Sequence, residues 1–135
     1  AKAVQTGGAK ENPLSGKRIL IVDDEKTIRE TLQVIFTREG FRVETARDGR
    51  EALDLIDKEK FALVITDLKM PGYGGMDLYE SVQKKYAYLK DKIIILTGDV
   101  FSEDVRQFLS ASGCPYVLKP FEPKKLIEIA VKLLS

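Results

Sequence analysis

The chain has 135 residues, 44 % of them apolar, enough for one domain that buries a core without disulfide or metal staples. Its 22 Lys and Arg stand against 21 Asp and Glu, and the net charge of +1 builds in no attraction to nucleic acid or to a membrane surface. Histidine is absent and Cys114 is the single cysteine, which excludes Ser-His-Asp catalysis, histidine-ligated zinc, a histidine phosphoacceptor and an internal disulfide.

In chain order, residues 1–16 lack periodicity and hold Pro13 and Gly16 as breakers, so they predict a flexible tail or linker ahead of a domain over 17–135. The first residue is not methionine, as expected of a piece cut from a longer protein. From Lys17 onward, strand-like and helix-like patterns alternate five times. The runs over 18–22, 61–66 and 92–97 are almost continuously apolar, as expected of strands covered on both faces. Residues 41–46 alternate, which suits an edge strand, and Tyr116 to Leu118 form a short fifth strand at the other edge. Between them, Ile28, Leu32, Ile35 and Phe36 mark the first helix, which Gly40 closes. Asp48 and Glu51 predict a capping box for the second, with Ala52, Leu55 and Ile56 inward. Leu78, Val82 and Tyr86 define the third. Ser102 is placed to cap the fourth, which carries Val105, Phe108 and Leu109 and stops at Gly113. Pro123 opens the fifth, with Leu126, Ile127, Ala130, Leu133 and Leu134 inward. Five βα units predict a doubly wound parallel sheet. No apolar run approaches the ~20 residues of a membrane span, no signal peptide is visible, and Cys114 reads as a small buried residue in a reducing, cytoplasmic setting.

Asp23 and Asp24 directly follow the first strand and Asp67 the third. On neighbouring parallel strands, about 5 Å apart, these acids converge at one end of the sheet. Clustered carboxylates repel each other, and a bound hard cation, Mg²⁺ first among them, makes the cluster tolerable near neutral pH. Thr97 and Lys119 end the fourth and fifth strands. A hydroxyl and an ammonium beside a metal-binding acid cluster suit a phosphoryl group, and ligands of open α/β sheets bind beyond these strand ends.

The residues in this order resemble the receiver domain of two-component response regulators. The matching stretches are Ile-Leu-Ile-Val-Asp-Asp-Glu over 19–25, Asp-Leu-Lys-Met-Pro-Gly over 67–72 with Gly75, Leu-Thr-Gly over 96–98 and Tyr-Val-Leu-Lys-Pro-Phe over 116–121. The resemblance implies a flavodoxin-like (βα)₅ fold with strand order 2-1-3-4-5. It implies that Asp67 accepts a phosphoryl group from the phosphohistidine of a histidine kinase or histidine phosphotransfer protein. By the same resemblance Mg²⁺ or Mn²⁺ is held by Asp23, Asp24, Asp67 and the Lys69 carbonyl. Thr97 and Lys119 contact phosphoryl oxygens, Tyr116 is the switch aromatic, the Lys119–Pro120 peptide is cis, and Lys69 and Asp99 tune the lifetime of the acyl phosphate. The surface of the fourth helix, fifth strand and fifth helix then relays the signal, with no direct nucleic-acid binding and no membrane insertion by this domain. Dimerisation through the fourth and fifth helices is compatible with the resemblance, though no sequence feature compels it.

The chain departs from the commonest pattern at Gly98, where alanine is frequent, and at Tyr73 and Gly74, which replace a Met-Asp pair and suggest a mobile loop. The polar stretch before the first strand and the segments over 96–100 and 114–122 resemble receivers fused behind the catalytic domain of hybrid sensor kinases. Two other readings compete: a hydrolase of small phosphoesters working through an aspartyl phosphate, for which a second acid is expected at position 69 where this chain has lysine, and a non-phosphorylated pseudo-receiver that acts as a binding module.

Overall fold

In the computed structural model, which describes residues 14–135, all five βα units are present. They are β1 (Arg18–Val22), α1 (Lys26–Arg38), β2 (Arg42–Ala46), α2 (Gly49–Lys58), β3 (Leu63–Asp67), α3 (Gly75–Lys85), β4 (Ile93–Thr97), α4 (Glu103–Ser112), β5 (Tyr116–Leu118) and α5 (Pro123–Leu134), with one 3₁₀ turn at Ala87–Leu89 before β4. All strands are parallel, in the order β2-β1-β3-β4-β5, so the flavodoxin-like arrangement expected of the family is the one observed. For residues 1–13 the expected tail lies outside the described residues. Leu14, at the end of that stretch, is buried against the sheet.

The sheet has helices on both faces, which is why its central strands read as unbroken apolar runs. On one face Leu20, Val22, Val64, Ile93 and Ile95 pack against Ala52 and Ile56 of α2, Leu78 and Val82 of α3 and Val105 of α4. On the other, Ile19, Ile21, Leu63, Ile65, Ile94 and Leu96 meet Leu32 and Phe36 of α1 and Leu126 and Ala130 of α5. Each fully buried Leu or Ile contributes about 1.5–3 kcal/mol relative to an exposed one. This core fixes the register that aligns the strand tips. β3 begins two residues later than the apolar run and takes in Asp67 as its last residue.

Helix ends show both agreement and correction. Asp48 Oδ1 accepts the Glu51 N–H at 2.9 Å, but the Glu51 carboxylate reaches back to the Arg47 N–H at 2.8 Å, one residue past the N-cap N–H that a reciprocal box would use. Ser102 stands at the N-cap position of α4 yet its side chain makes no capping bond. In the first turn the Val105 N–H is instead accepted by Asp104 Oδ1 at 2.9 Å, while Asp99 Oδ1 accepts the N–H groups of Phe101 at 2.8 Å and Ser102 at 3.1 Å in the turn just ahead of the helix. Cys114 is half-buried, and burial pushes its thiol pKa up. No helix among the described residues is long and apolar enough to cross a membrane.

The start of α3 is packed directly onto the tip of β3. A Cβ on Gly75 would lie 2.1 Å from the Asp67 carbonyl oxygen and 2.9 Å from Leu68 Cα, and the Gly75 N–H donates to the Leu68 carbonyl at 2.9 Å. Gly75→Ala is expected to cost about 3 kcal/mol, the upper part of the range for overpacking, because the obstructing atoms are backbone. Urea denaturation reads the loss directly.

Candidate functional site

The C-terminal ends of β1, β3, β4 and β5 meet at one edge of the sheet. Val22 pairs with Thr66, Asp67 with Leu96 and Thr97 with Leu118, so the residues that close these strands are brought level. Asp23, Asp24 and Asp67 place carboxylate oxygens within 4.8 Å of one another. Asp23 is fully buried, Asp67 nearly so, and Asp24 faces solvent.

Lys119 enters this cluster from the far side. Its Nζ donates to Asp23 Oδ2 at 2.8 Å and to Asp67 Oδ2 at 2.9 Å, and lies 3.6 Å from Glu25 Oε1. Burial acts to lower the Lys119 pKa, but its bonds to the two aspartates and their charge prevail and raise it. For Asp23 the balance runs the other way: burial raises its pKa and outweighs the opposing contributions of Lys119 and the Glu25 N–H. The peptide bond from Lys119 to Pro120 is cis, as the resemblance implied.

The backbone around Asp23 is held by residues the sequence reading did not single out. The Glu25 N–H donates to Asp23 Oδ1 at 2.9 Å, and Arg29 in the first turn of α1 donates to the Asp23 carbonyl at 2.7 Å. Arg29 lies five and six residues beyond the acid pair, outside the three- and four-residue spacings that mark helical neighbours, so the sequence carried no signal for it.

Thr97 is buried and its hydroxyl is occupied within its own turn, donating to the Asp99 carbonyl at 2.8 Å and accepting the Asp99 N–H at 3.1 Å. The Lys119 N–H bonds the Thr97 carbonyl at 2.8 Å, so the tips of β4 and β5 are joined. Tyr116 is 47 % exposed on β5. The Lys69 N–H approaches Asp67 Oδ1 at 3.4 Å, a long contact. Its ammonium pairs with Asp104 of α4 at 3.2 Å, whereas Asp99, expected with Lys69 to tune the acyl phosphate, turns its carboxylate to the N–H groups of Phe101 and Ser102 just ahead of α4.

The loop over 68–74 is tied down, contrary to the mobility expected from Tyr73 and Gly74. The Tyr73 carbonyl accepts the Gly49 N–H at 2.8 Å, its hydroxyl bonds Ser81 Oγ and the Asp77 carbonyl, and its ring lies 5.1 Å below the Arg50 guanidinium. Aromatic size and polarity together supply anchors that a reading of the two positions as lost turn residues did not foresee.

All donors converging here are hard oxygens, and the three carboxylates carry more negative charge than Lys119 alone balances. That donor set fits Mg²⁺ or a similar divalent ion, with Asp23, Asp24 and Asp67 as the acidic pocket.

The chain belongs to the response regulator receiver domain family, which matches it over residues 19–131. It is similar to the chemotaxis protein CheY4 of Vibrio cholerae, with 33 % identity over 89 % of this chain and 100 % of that one and a TM-score of 0.78. The response regulator protein TrrA of Thermotoga maritima, solved in complex with Mg²⁺ and BeF, shares 39 % identity over 87 % of this chain and 99 % of that one, with a TM-score of 0.75. The receiver domain of a signal transduction histidine kinase from Syntrophus aciditrophicus shares 27 % identity over 88 % of this chain and 90 % of that one, with a TM-score of 0.80.

Two outcomes follow from this geometry. In metal-free buffer Lys119→Met leaves two buried carboxylates without their shared cation, and urea denaturation is expected to show a loss of about 3 kcal/mol. Asp99 is held below the ordinary aspartate value of 3.8 by the Phe101 N–H first and then by Ser102, so its contribution is full above that value and is lost as pH falls through the lower folded value. On acidification below 3.8, amide exchange at Phe101 and Ser102 is expected to accelerate before exchange in β4.

Proposed function

We propose that Asp67 takes a phosphoryl group from the phosphohistidine of a histidine kinase or histidine phosphotransfer protein and that the change in charge is relayed to the surface of α4, β5 and α5. The observation that carries this reading is the Lys119 ammonium shared between Asp23 and Asp67, at 2.8 Å and 2.9 Å. It places a cation beside the acceptor and a second acid where transferred charge has to be compensated.

In the transfer, an Asp67 carboxylate oxygen bonds to phosphorus as the phosphorus–nitrogen bond breaks. The imidazole nitrogen keeps the electron pair and takes up a proton. Such a reaction needs little covalent help, so the protein's part is positioning and charge neutralisation. Asp23 and Lys119 do this from fixed, buried positions. Mg²⁺ or Mn²⁺ bound by Asp23, Asp24, Asp67 and the Lys69 carbonyl supplies the remaining positive charge, for by simple counting a divalent ion and one ammonium balance about three carboxylates.

Phosphorylation exchanges the single charge of Asp67 for about −2. Lys119 is already in place to follow that charge. Thr97 is not, because its hydroxyl is engaged with Asp99; to bond a phosphoryl oxygen it has to leave those partners. The vacated space beside β5 admits the half-exposed Tyr116, and its turn inward reshapes the face that α4, β5 and α5 present. Lys69, on the route of attacking water, sets the acyl-phosphate lifetime; Asp99 acts on it from beside Thr97. The domain is thus an acceptor that assists its own phosphorylation and dephosphorylation, and not a turnover enzyme. We place it behind a kinase domain in a longer chain, in support of which stands the similar receiver from a histidine kinase; the parent reading frame decides that placement.

Incubation with Mg²⁺ and acetyl phosphate, followed by mass spectrometry, tests the chemistry. One hydroxylamine-labile phosphoryl per chain is expected, absent in Asp67→Asn and in chelator. Turnover of excess phosphoester with no label retained would instead favour the hydrolase, and neither result would leave a binding module.

A further inference from the structure

We infer that Tyr73 is a positioning residue for the phosphoacceptor site: it fastens the loop after Asp67 to α2 and α3 and so fixes the backbone on both sides of Lys69. The inference rests on the proposed role of the Lys69 carbonyl as a metal ligand.

From the side of Asp67 the loop is weakly held, since the Lys69 N–H lies 3.4 Å from Asp67 Oδ1. Gly72, with φ +79°, adds freedom to it. Tyr73 is gripped from two helices. Its carbonyl accepts the N–H of Gly49, the first residue of α2, at 2.8 Å, and its ring sits 5.1 Å from the Arg50 guanidinium. Its hydroxyl meets Ser81 Oγ and the Asp77 carbonyl on α3.

The approach of α2 demands glycine at position 49, where a Cβ would come within 2.4 Å of Tyr73 Cδ1 and 2.8 Å of the Tyr73 carbonyl oxygen. From Tyr73 the constraint passes to its neighbour. A Cβ on Gly74 would lie 2.8 Å from the Leu68 carbonyl oxygen and 3.6 Å from the Met70 nitrogen, so the loop closes on itself around Lys69. Met70 is buried and cannot yield freely. A side chain four residues from Lys69 therefore controls where Lys69 sits, in the way that outer partners orient metal ligands.

The test compares wild type, Tyr73→Ala, Tyr73→Phe and Gly49→Ala by Mg²⁺ titration in calorimetry and by amide exchange at 68–70, with the amides of β1 as an internal reference for global stability. Tyr73→Ala is expected to weaken Mg²⁺ binding about tenfold, as loss of an orienting partner does, and Gly49→Ala to reproduce this without removing an atom of the tyrosine. Exchange at 68–70 should accelerate about tenfold with β1 unchanged, the signature of local opening. Tyr73→Phe keeps the ring beside Arg50 but loses the hydroxyl bonds to α3, so it should recover part of both losses and fall between wild type and Tyr73→Ala. Mg²⁺ affinity and loop exchange in Tyr73→Ala within about twofold of wild type, or exchange rising equally in β1, would overturn the inference and leave Tyr73 as plain packing. A wild-type protein that binds no Mg²⁺ would overturn the functional reading instead, and the exchange data would still decide the anchor.

Discussion

Carboxylates from two adjacent strand tips are forced together by strand pairing, and their mutual repulsion is met by one ammonium that arrives from two strands away. β5 is separated from β3 by β4, so the Lys119 side chain crosses the tip of β4 to reach Asp67 and continues to Asp23 on β1. Parallel strands stand about 4.8 Å apart, and only a long, unbranched cation spans such a gap. Everything at this edge of the sheet is organised around that crossing. Thr97 lies beneath it, and the bond from the Lys119 N–H to the Thr97 carbonyl ties the start of the reach to the strand being crossed.

The balance of charge is incomplete with lysine alone. Burial keeps the Asp23 pKa up despite the ammonium at 2.8 Å, while the same pairing raises that of Lys119. The two shifts have different causes, burial for Asp23 and the bonds to anionic oxygens for Lys119, in a corner that is both rich in acid and poorly solvated. Such a corner responds strongly to any added charge, because the surrounding side chains have few waters to share it with. A polar group already satisfied elsewhere, as Thr97 is by Asp99, then moves only when a stronger acceptor appears.

The five βα units and the placing of Asp23, Asp24, Asp67, Thr97 and Lys119 at strand ends were legible in the sequence for a simple reason, whereas the strand order came only from the family resemblance. Strands buried on both faces appear as uninterrupted apolar runs, and a polar residue that ends such a run has to stand at the rim of the sheet. Irregular backbone was far less legible. Asp99 turning to N–H groups just ahead of α4, Lys69 pairing with Asp104, and Tyr73 engaging two helices all depend on loop trajectories that no periodicity encodes. Ser102 shows the same limit at short range: the residue type suited a cap, but the Asp104 carboxylate within the first turn takes the Val105 N–H instead. Leu14 was read with the tail because a lone leucine among breakers carries no pattern, although it is buried against the sheet.

The separation of the core by the sheet has a consequence for how the molecule tolerates change. Residues under α2, α3 and α4 form one apolar cluster and those under α1 and α5 another, with the backbone of the strands between them. Substitutions on opposite sides share few neighbours, and effects of non-contacting sites typically add within about 0.3–0.5 kcal/mol. The two helical layers can therefore be re-tailored almost independently. A surface remade over α1 and α5 leaves the opposite layer, and the acidic rim that both layers flank, with the packing it had before.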